Sequence, residues 1–140
     1  MMAGNIKLEV VTPERIVVSE EVQIVIAPGS VGEFGVLVGH TPFLTTLAVG
    51  KLNYRDVDGT NKYVFVSGGF AEALPDKVTV LAESAERRRE IDEERAKSAL
   101  ERSQKRIEGK LEESDIDIVR ANAAMERALH RIKLVQTRII

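Results

Sequence analysis

Near residue 85 the sequence changes character, and a chain that does so does not fold as one uniform layer. All six aromatic residues, Phe34, Phe43, Tyr54, Tyr63, Phe65 and Phe70, precede this point, and the last proline is Pro75. Nine of the ten glycines lie before residue 70, leaving Gly109 alone. Beyond Ala85 the chain is dominated by Ala, Glu, Arg, Lys, Leu and Ile, which favour helices, whereas the earlier part is rich in β-branched, aromatic and turn residues. The break predicts two domains, 1–85 and 86–140. No internal repeat or low-complexity segment interrupts either.

The first part reads as short strands between turns. Ile6, Leu8 and Val10 alternate and stop at Thr12-Pro13, and Val22 to Ile26 ends at Pro28-Gly29. Phe34 to Val38, Leu52 to Val57, Tyr63 to Val66 and Val78 to Ala82 follow, with Asp58-Gly59 and Pro75-Asp76 as turn signals. This spacing predicts an all-β antiparallel sandwich or barrel. The second part reads as two helices. Asp92 is placed to cap the first, with Ala96, Ala99, Leu100, Ser103 and Ile107 on its apolar stripe and Gly109 weakening its end. Ser114 is placed to cap the second, whose expected stripe is Ala121, Met125, Ala128, Leu129, Ile132 and Val135. A short connection centred near Glu112 makes the pair an antiparallel hairpin.

The residues for catalysis are missing. There is no cysteine, so thiol chemistry, disulfides and thiolate metal sites are absent together. His40 and His130 are too far apart in sequence for a metal-ligand motif and fall in different parts. Gly29-Ser30-Val31-Gly32-Glu33-Phe34-Gly35 lacks the Gly-Lys-Ser/Thr ending of a phosphate loop and reads as turn glycine. A net charge of −2 and no aromatic residue among the helical arginines argue against nucleic acid. No apolar run nears the roughly 20 residues that span a bilayer. The N-terminus has neither a signal core nor transit character, so the expectation is a protein that stays in the compartment of its synthesis.

What remains is a pattern of arginines. At about 100° per residue, Arg120, Arg127, Arg131 and Arg138 fall within about 40° of one another, as do Arg95, Arg102 and Arg106. Each stripe lies roughly 110° from its apolar seam in the same rotational sense. Closing the hairpin therefore carries both stripes to one broad face, with Arg95 near Arg127 and Arg131. Two readings stand: a solvated face of Glu/Arg neighbours, or an anion site, because guanidinium forks match phosphate oxygens. The alanine-rich seam also predicts weak docking, since each buried carbon contributes roughly 0.8 kcal/mol. An undocked arm of about 45 residues reaches roughly 65 Å, so a two-state element is physically allowed.

Three segments resemble the epsilon subunit family of bacterial-type rotary ATP synthases. They are Gly32-Glu33-Phe34-Gly35-Val36-Leu37-Val38-Gly39-His40-Thr41-Pro42-Phe43-Leu44-Thr45-Thr46-Leu47, then Ser67-Gly68-Gly69-Phe70-Ala71-Glu72 with Lys77 to Glu83, and Ile91-Asp92-Glu93-Glu94-Arg95-Ala96. Val38 departs from the family pattern, which has proline before Gly-His. The resemblance implies a sandwich of about ten strands and a C-terminal helical hairpin, with no catalytic role. It implies contacts with the gamma subunit, through a region that includes His40, and with the polar loops of the c-ring, through a loop that includes Glu33. It further implies a hairpin that is either compact or extended toward the alpha and beta subunits, the extended state inhibiting ATP hydrolysis. The location implied is the cytoplasmic face of the cell (inner) membrane, peripheral and through the complex alone.

In some members the compact hairpin binds ATP as a regulatory ligand, although no cofactor is required. The matching positions here are Ile91, Asp92, Arg95 and Ala96, with Glu86, Arg102, Arg127 and Arg131 filling similar places. The resemblance thus favours the anion-site reading, with ATP stabilising the compact state. A stand-alone nucleotide-sensing module is the alternative, separable by co-purification with gamma and a c-ring.

Overall fold

The computed structural model describes residues 4–109 and 115–137. Seven strands come first: β1 Ile6–Val11, β2 Ile16–Gly29, β3 Gly32–Val36, β4 Phe43–Thr46, β5 Gly50–Asp56, β6 Asn61–Ala73 and β7 Lys77–Arg87. A 3-10 turn, Arg88–Glu90, leads to helices α1 Glu93–Glu108 and α2 Asp115–Gln136. The expected connection near Glu112, the Ser114 cap and Arg138 lie outside the described residues.

The strands run β1-β7-β6-β5-β2-β3 by hydrogen bonding, and β1 also pairs β2, which closes the sheet on itself. Every pairing is antiparallel except β1 with β7. The strand count is seven rather than about ten. The long strands explain the difference, because they bend without breaking. β2 shifts register between Val22 and Ile24, so that its first part pairs β1 and its second part pairs β5 and β3. β6 bends at Gly68-Gly69, pairing β5 before the bend and β4 after it.

That second bend requires glycine. Gly68 and Gly69 have φ of 68° and 107°, a region that side chains with a Cβ avoid. A Cβ on Gly69 would stand 2.0 Å from the Leu81 carbonyl oxygen. The β5–β6 turn needs it too: Gly59 sits at φ 84°, while Asp56 Oδ1 accepts from the Asp58 and Thr60 amides, each at 2.9 Å. The Thr60 amide is the main cause holding the Asp56 carboxyl below its ordinary value, with Lys62 and the Asp58 amide adding to it.

The alternating residues meet inside. Ile6, Leu8, Val10, Val22, Val25, Val36, Leu52, Val64, Val66, Val78 and Val80 are fully buried in one cluster. β6 is buried on both faces over Val64-Phe65-Val66-Ser67, as a strand covered on two sides must be. Val64 and Val66 face the cluster. Phe65, equally buried but outside that cluster, faces the hairpin.

The helices dock through a narrow seam. Asp92 Oδ1 accepts from the Arg95 amide at 3.1 Å, capping α1 as expected. Ala96 and Ser103 of α1 are buried, with Ala121 and Ala128 of α2. One expectation fails: Leu129 is 46% exposed, and Leu134, not on the expected stripe, is 2% exposed. Contact with the sandwich, not the seam alone, sets how α2 is rotated.

Candidate anion-binding site

The β6–β7 ladder places Phe65 directly across from Glu86, so both side chains leave the same face of the sheet. α2 crosses above them. Its Arg131 guanidinium lies 4.4 Å from the centre of the Phe65 ring. The same group pairs with Glu86 Oε1, at 2.8 Å from Nε and 2.7 Å from Nη2. Side-chain exposures of 25% and 28% leave this pair partly desolvated, where a cation over a ring gains more than it does in open water.

Beside this contact, at the start of α1, is a cleft of about 350 Å³. Its walls are Glu86 from β7, Glu90 from the 3-10 turn, Asp92, Arg95, Ala96, Ala99 and Arg102 from α1, and Arg131 from α2. Arg95 and Arg102 are exposed. Among the described residues, no carboxylate lies within ion-pair distance of either guanidinium. Small side chains at Ala96 and Ala99 keep the floor open between the cations. Two unpaired guanidiniums and one anchored guanidinium can receive phosphate or carboxylate oxygens. Asp92, whose Oδ1 caps α1, adds a carboxylate acceptor to the lining. Glu90 is occupied: its carboxylate accepts from Arg15 at 2.8 Å and from the Arg87 amide at 3.0 Å. The Arg15 bond, ahead of the Arg87 amide, holds the Glu90 carboxyl below its ordinary value.

Six of the eight predicted ligand residues therefore come together: Glu86, Asp92, Arg95, Ala96, Arg102 and Arg131. Ile91, half-buried in the link to α1, does not line the cleft, and neither does Arg127, half-buried one turn before Arg131. Arg106 and Arg120 are exposed on their helices and also stand outside it. Sequence reasoning missed Glu90, Ala99 and the buried Phe65 beneath Arg131. Only the continuous apolar run around Phe65 signalled a strand covered on both faces. Glu33 is exposed on β3, while His40 lies half-buried in the β3–β4 loop. The His40 Nδ1 is 2.7 Å from the Thr41 carbonyl, and its ring meets Phe43 edge-on at 5.1 Å. A larger recess of about 440 Å³ under the end of α2 is lined by Tyr54, Lys62, Tyr63, Arg87 and Arg88 among others. Three of its four cations, Lys62, Arg87 and Arg88, are committed to protein acceptors, which leaves Arg89, so the smaller cleft is the better anion site. Among the described residues no group of side chains is placed to hold a metal ion.

Two families match the chain. One, ATP synthase, Delta/Epsilon chain, beta-sandwich domain, spans residues 5–88, and the other, ATP synthase, Delta/Epsilon chain, long alpha-helix domain, spans residues 89–136. The chain is 59% identical over 137 residues to the ATP synthase epsilon chain of Desulforapulum autotrophicum, covering 98% of this chain and 100% of that one. The chain belongs to the ATP synthase epsilon chain family. The epsilon chain of Desulfatibacillum aliphaticivorans is 70% identical over 109 residues, 78% of this chain and 77% of that one. Membership of the epsilon chains makes this a non-catalytic subunit. The fold is also that of a chain in the Euglena gracilis mitochondrial ATP synthase, with a TM-score of 0.78 at 24% identity, covering 92% of this chain and 80% of that one.

Proposed function

We propose that this epsilon chain is a rotor subunit that joins gamma to the c-ring and controls ATP hydrolysis through its hairpin, with ATP as the ligand of the compact state. The rotor role follows from its relatives, each an ATP synthase epsilon chain. Gamma and the c-ring are its partners through the sandwich, where Glu33 and His40 contribute. The alpha and beta subunits are its partners when the hairpin extends. No helix among the described residues is long and apolar enough to cross a membrane, so the proposed attachment is peripheral, on the cytoplasmic face and through the complex. The domains proposed are 1–85 and 86–140, with β7 running on across that boundary to Arg87.

One observation carries the regulatory part. The cleft has walls from both the sandwich and the hairpin, with Glu86 on one side and Arg95, Arg102 and Arg131 on the other. A ligand there binds only while the hairpin is docked, and its differential affinity draws the equilibrium to that state. The arginines hold the phosphates, and Asp92 accepts from the adenine amino group or fixes the start of α1. Undocking separates Arg131 from Glu86 and takes the site apart.

Calorimetry of the isolated chain with millimolar ATP tests this. Heat that saturates in the parent and disappears in Arg95→Ala with Arg102→Ala supports the reading. No heat in the parent overturns it. For the inhibitory role, removing residues 93–140 should raise ATP hydrolysis by the assembled complex, and unchanged hydrolysis would mean that the hairpin is no brake here.

A further inference from the structure

α2 ends against the 3-10 turn, and one side chain receives it. Arg88 Nε donates to the Leu134 carbonyl at 3.0 Å, and Nη2 donates to the Val135 carbonyl at 2.8 Å and to that of Thr137. The last carbonyls of a helix have no partner within it. Here, beside the Thr137 amide that donates to the Leu134 carbonyl at 3.3 Å, a partner comes from 46 to 49 positions away in sequence, and its positive charge suits the negative end of the helix dipole. Leu134, the same segment's apolar contact, is buried beneath.

The mount that presents Arg88 is fixed on both sides. Arg87 reaches into the sandwich, donating from Nε to the Val17 carbonyl at 3.0 Å and from Nη1 to the Tyr54 hydroxyl at 3.3 Å. Glu90 is tied to Arg15. Arg88 is therefore held by the sandwich while it grips the hairpin. Arg131 lies three residues before Leu134, on the same stretch of α2, over Phe65 and against Glu86. Fixing the end of α2 fixes its rotation and its axial position, and with them the guanidinium that lines the cleft.

We propose that Arg88 is a positioning residue that clamps the C-terminal end of α2 to the sandwich and thereby places Arg131 in the anion cleft. The first half stands on the hydrogen bonds alone; the second rests on the functional reading given above. Loss of the clamp lowers the docked fraction, and the apparent Kd of a ligand that needs the docked state rises by the reciprocal of that fraction.

The chain has no cysteine, so spin labels at Thr60→Cys and Lys133→Cys report docking in the full-length chain by pulsed distance measurement. The parent should give one short-distance population. Arg88→Gln should move the docked-to-undocked ratio at least about tenfold toward undocked, as the loss of several hydrogen bonds demands, with the β-sheet signal of the sandwich unchanged. Arg88→Lys should recover part of it, because an ammonium also serves a helix C-terminus. An Arg88→Gln distance distribution equal to the parent's, or a parent already undocked, overturns the proposal. ATP calorimetry on the same variants separates the two readings. Weaker ATP binding in step with the lost docked fraction supports the positioning role. No ATP heat in any variant, beside a clear Arg88→Gln release, retires the nucleotide reading and leaves the clamp standing. Unchanged ATP affinity in an undocked Arg88→Gln chain overturns the positioning half.

Discussion

The sandwich and the hairpin are held by different chemistry. The sandwich buries a continuous cluster of Val, Ile, Leu and Tyr, wrapped by a sheet closed on itself. Among the described residues, the buried seam positions between the helices are Ala96, Ser103, Ala121 and Ala128, and the hairpin meets the sandwich through Phe65, Leu134 and a few arginine contacts. Fully burying a leucine or valine contributes roughly 1.5–3 kcal/mol, against about 0.8 for a single buried carbon. A body built the first way unfolds as a unit. An appendage built the second way can leave its seat while each helix keeps its internal hydrogen bonds. The contrast is one of side-chain size: alanine at the helix–helix seam lets the helices approach closely with little buried surface, while the seat on the sandwich rests on Phe65, Leu134 and a few arginine contacts.

The largest effect that sharpens this contrast is in the core. Leu8→Ala should lower sandwich stability by about 2–5 kcal/mol through lost burial and a cavity, read as a fall in the thermal midpoint. Ala128→Gly, at the buried hairpin seam, should cost only about 1 kcal/mol; equal costs would break the comparison. Gly69→Ala comes next. It forces a Cβ against the Leu81 carbonyl at a left-handed φ and should cost at least about 1–3 kcal/mol, measured by denaturant unfolding. Arg131→Gln should loosen docking while leaving the sandwich intact, removing about 1 kcal/mol of cation–π and ion-pair contact. Hydrogen exchange of α2 should then quicken while β6 stays protected, and equal quickening in both would mean that the two parts open together.

The smallest effect is one of pH. Glu90 has its folded pKa below its ordinary 4.5, and Asp56 below its ordinary 3.8. A depressed carboxyl pKa contributes stability that is full above the unfolded value and is lost as pH falls through the folded one. The strap through Glu90 should therefore weaken as pH drops below about 4.5, before Asp56 responds below about 3.8. Glu90→Gln should remove the first part of the decline in melting temperature and leave the second. A decline unaltered by Glu90→Gln would show that the strap adds nothing measurable.

Much of this was legible in the chain itself. Alternation marked β1, and turn residues marked the β5–β6 and β6–β7 hairpins. β4 was not legible, because Phe43-Leu44-Thr45-Thr46 has no clear period and exists as a strand because β6, once bent at Gly68-Gly69, offers it a partner edge. The count of about ten came with the family resemblance, and the strands are seven because β2 and β6 bend without breaking, at points set by register against neighbours far away in sequence. In the cleft, helical spacing supplied Arg95 and Arg102, and the family resemblance added Asp92 and Ala96. The stripe on α2 was less faithful, since Arg131 faces the cleft while Arg127 does not. Helical periodicity fixes the angle between two arginines but not which way the whole helix is turned.

By itself, the sequence settled what is local or periodic: where β-formers give way to helix formers, which residue caps α1, the lack of thiol chemistry and the family. The tertiary structure decided what depends on contacts between distant segments. The β6–β7 register put Phe65 opposite Glu86, and Arg88 took the end of α2. These two contacts turned α2 so that Leu134, not Leu129, is buried. The physical reason is that a side chain's direction follows from its own element, whereas its partner is chosen by the docking of two elements, and no single stretch of sequence contains both.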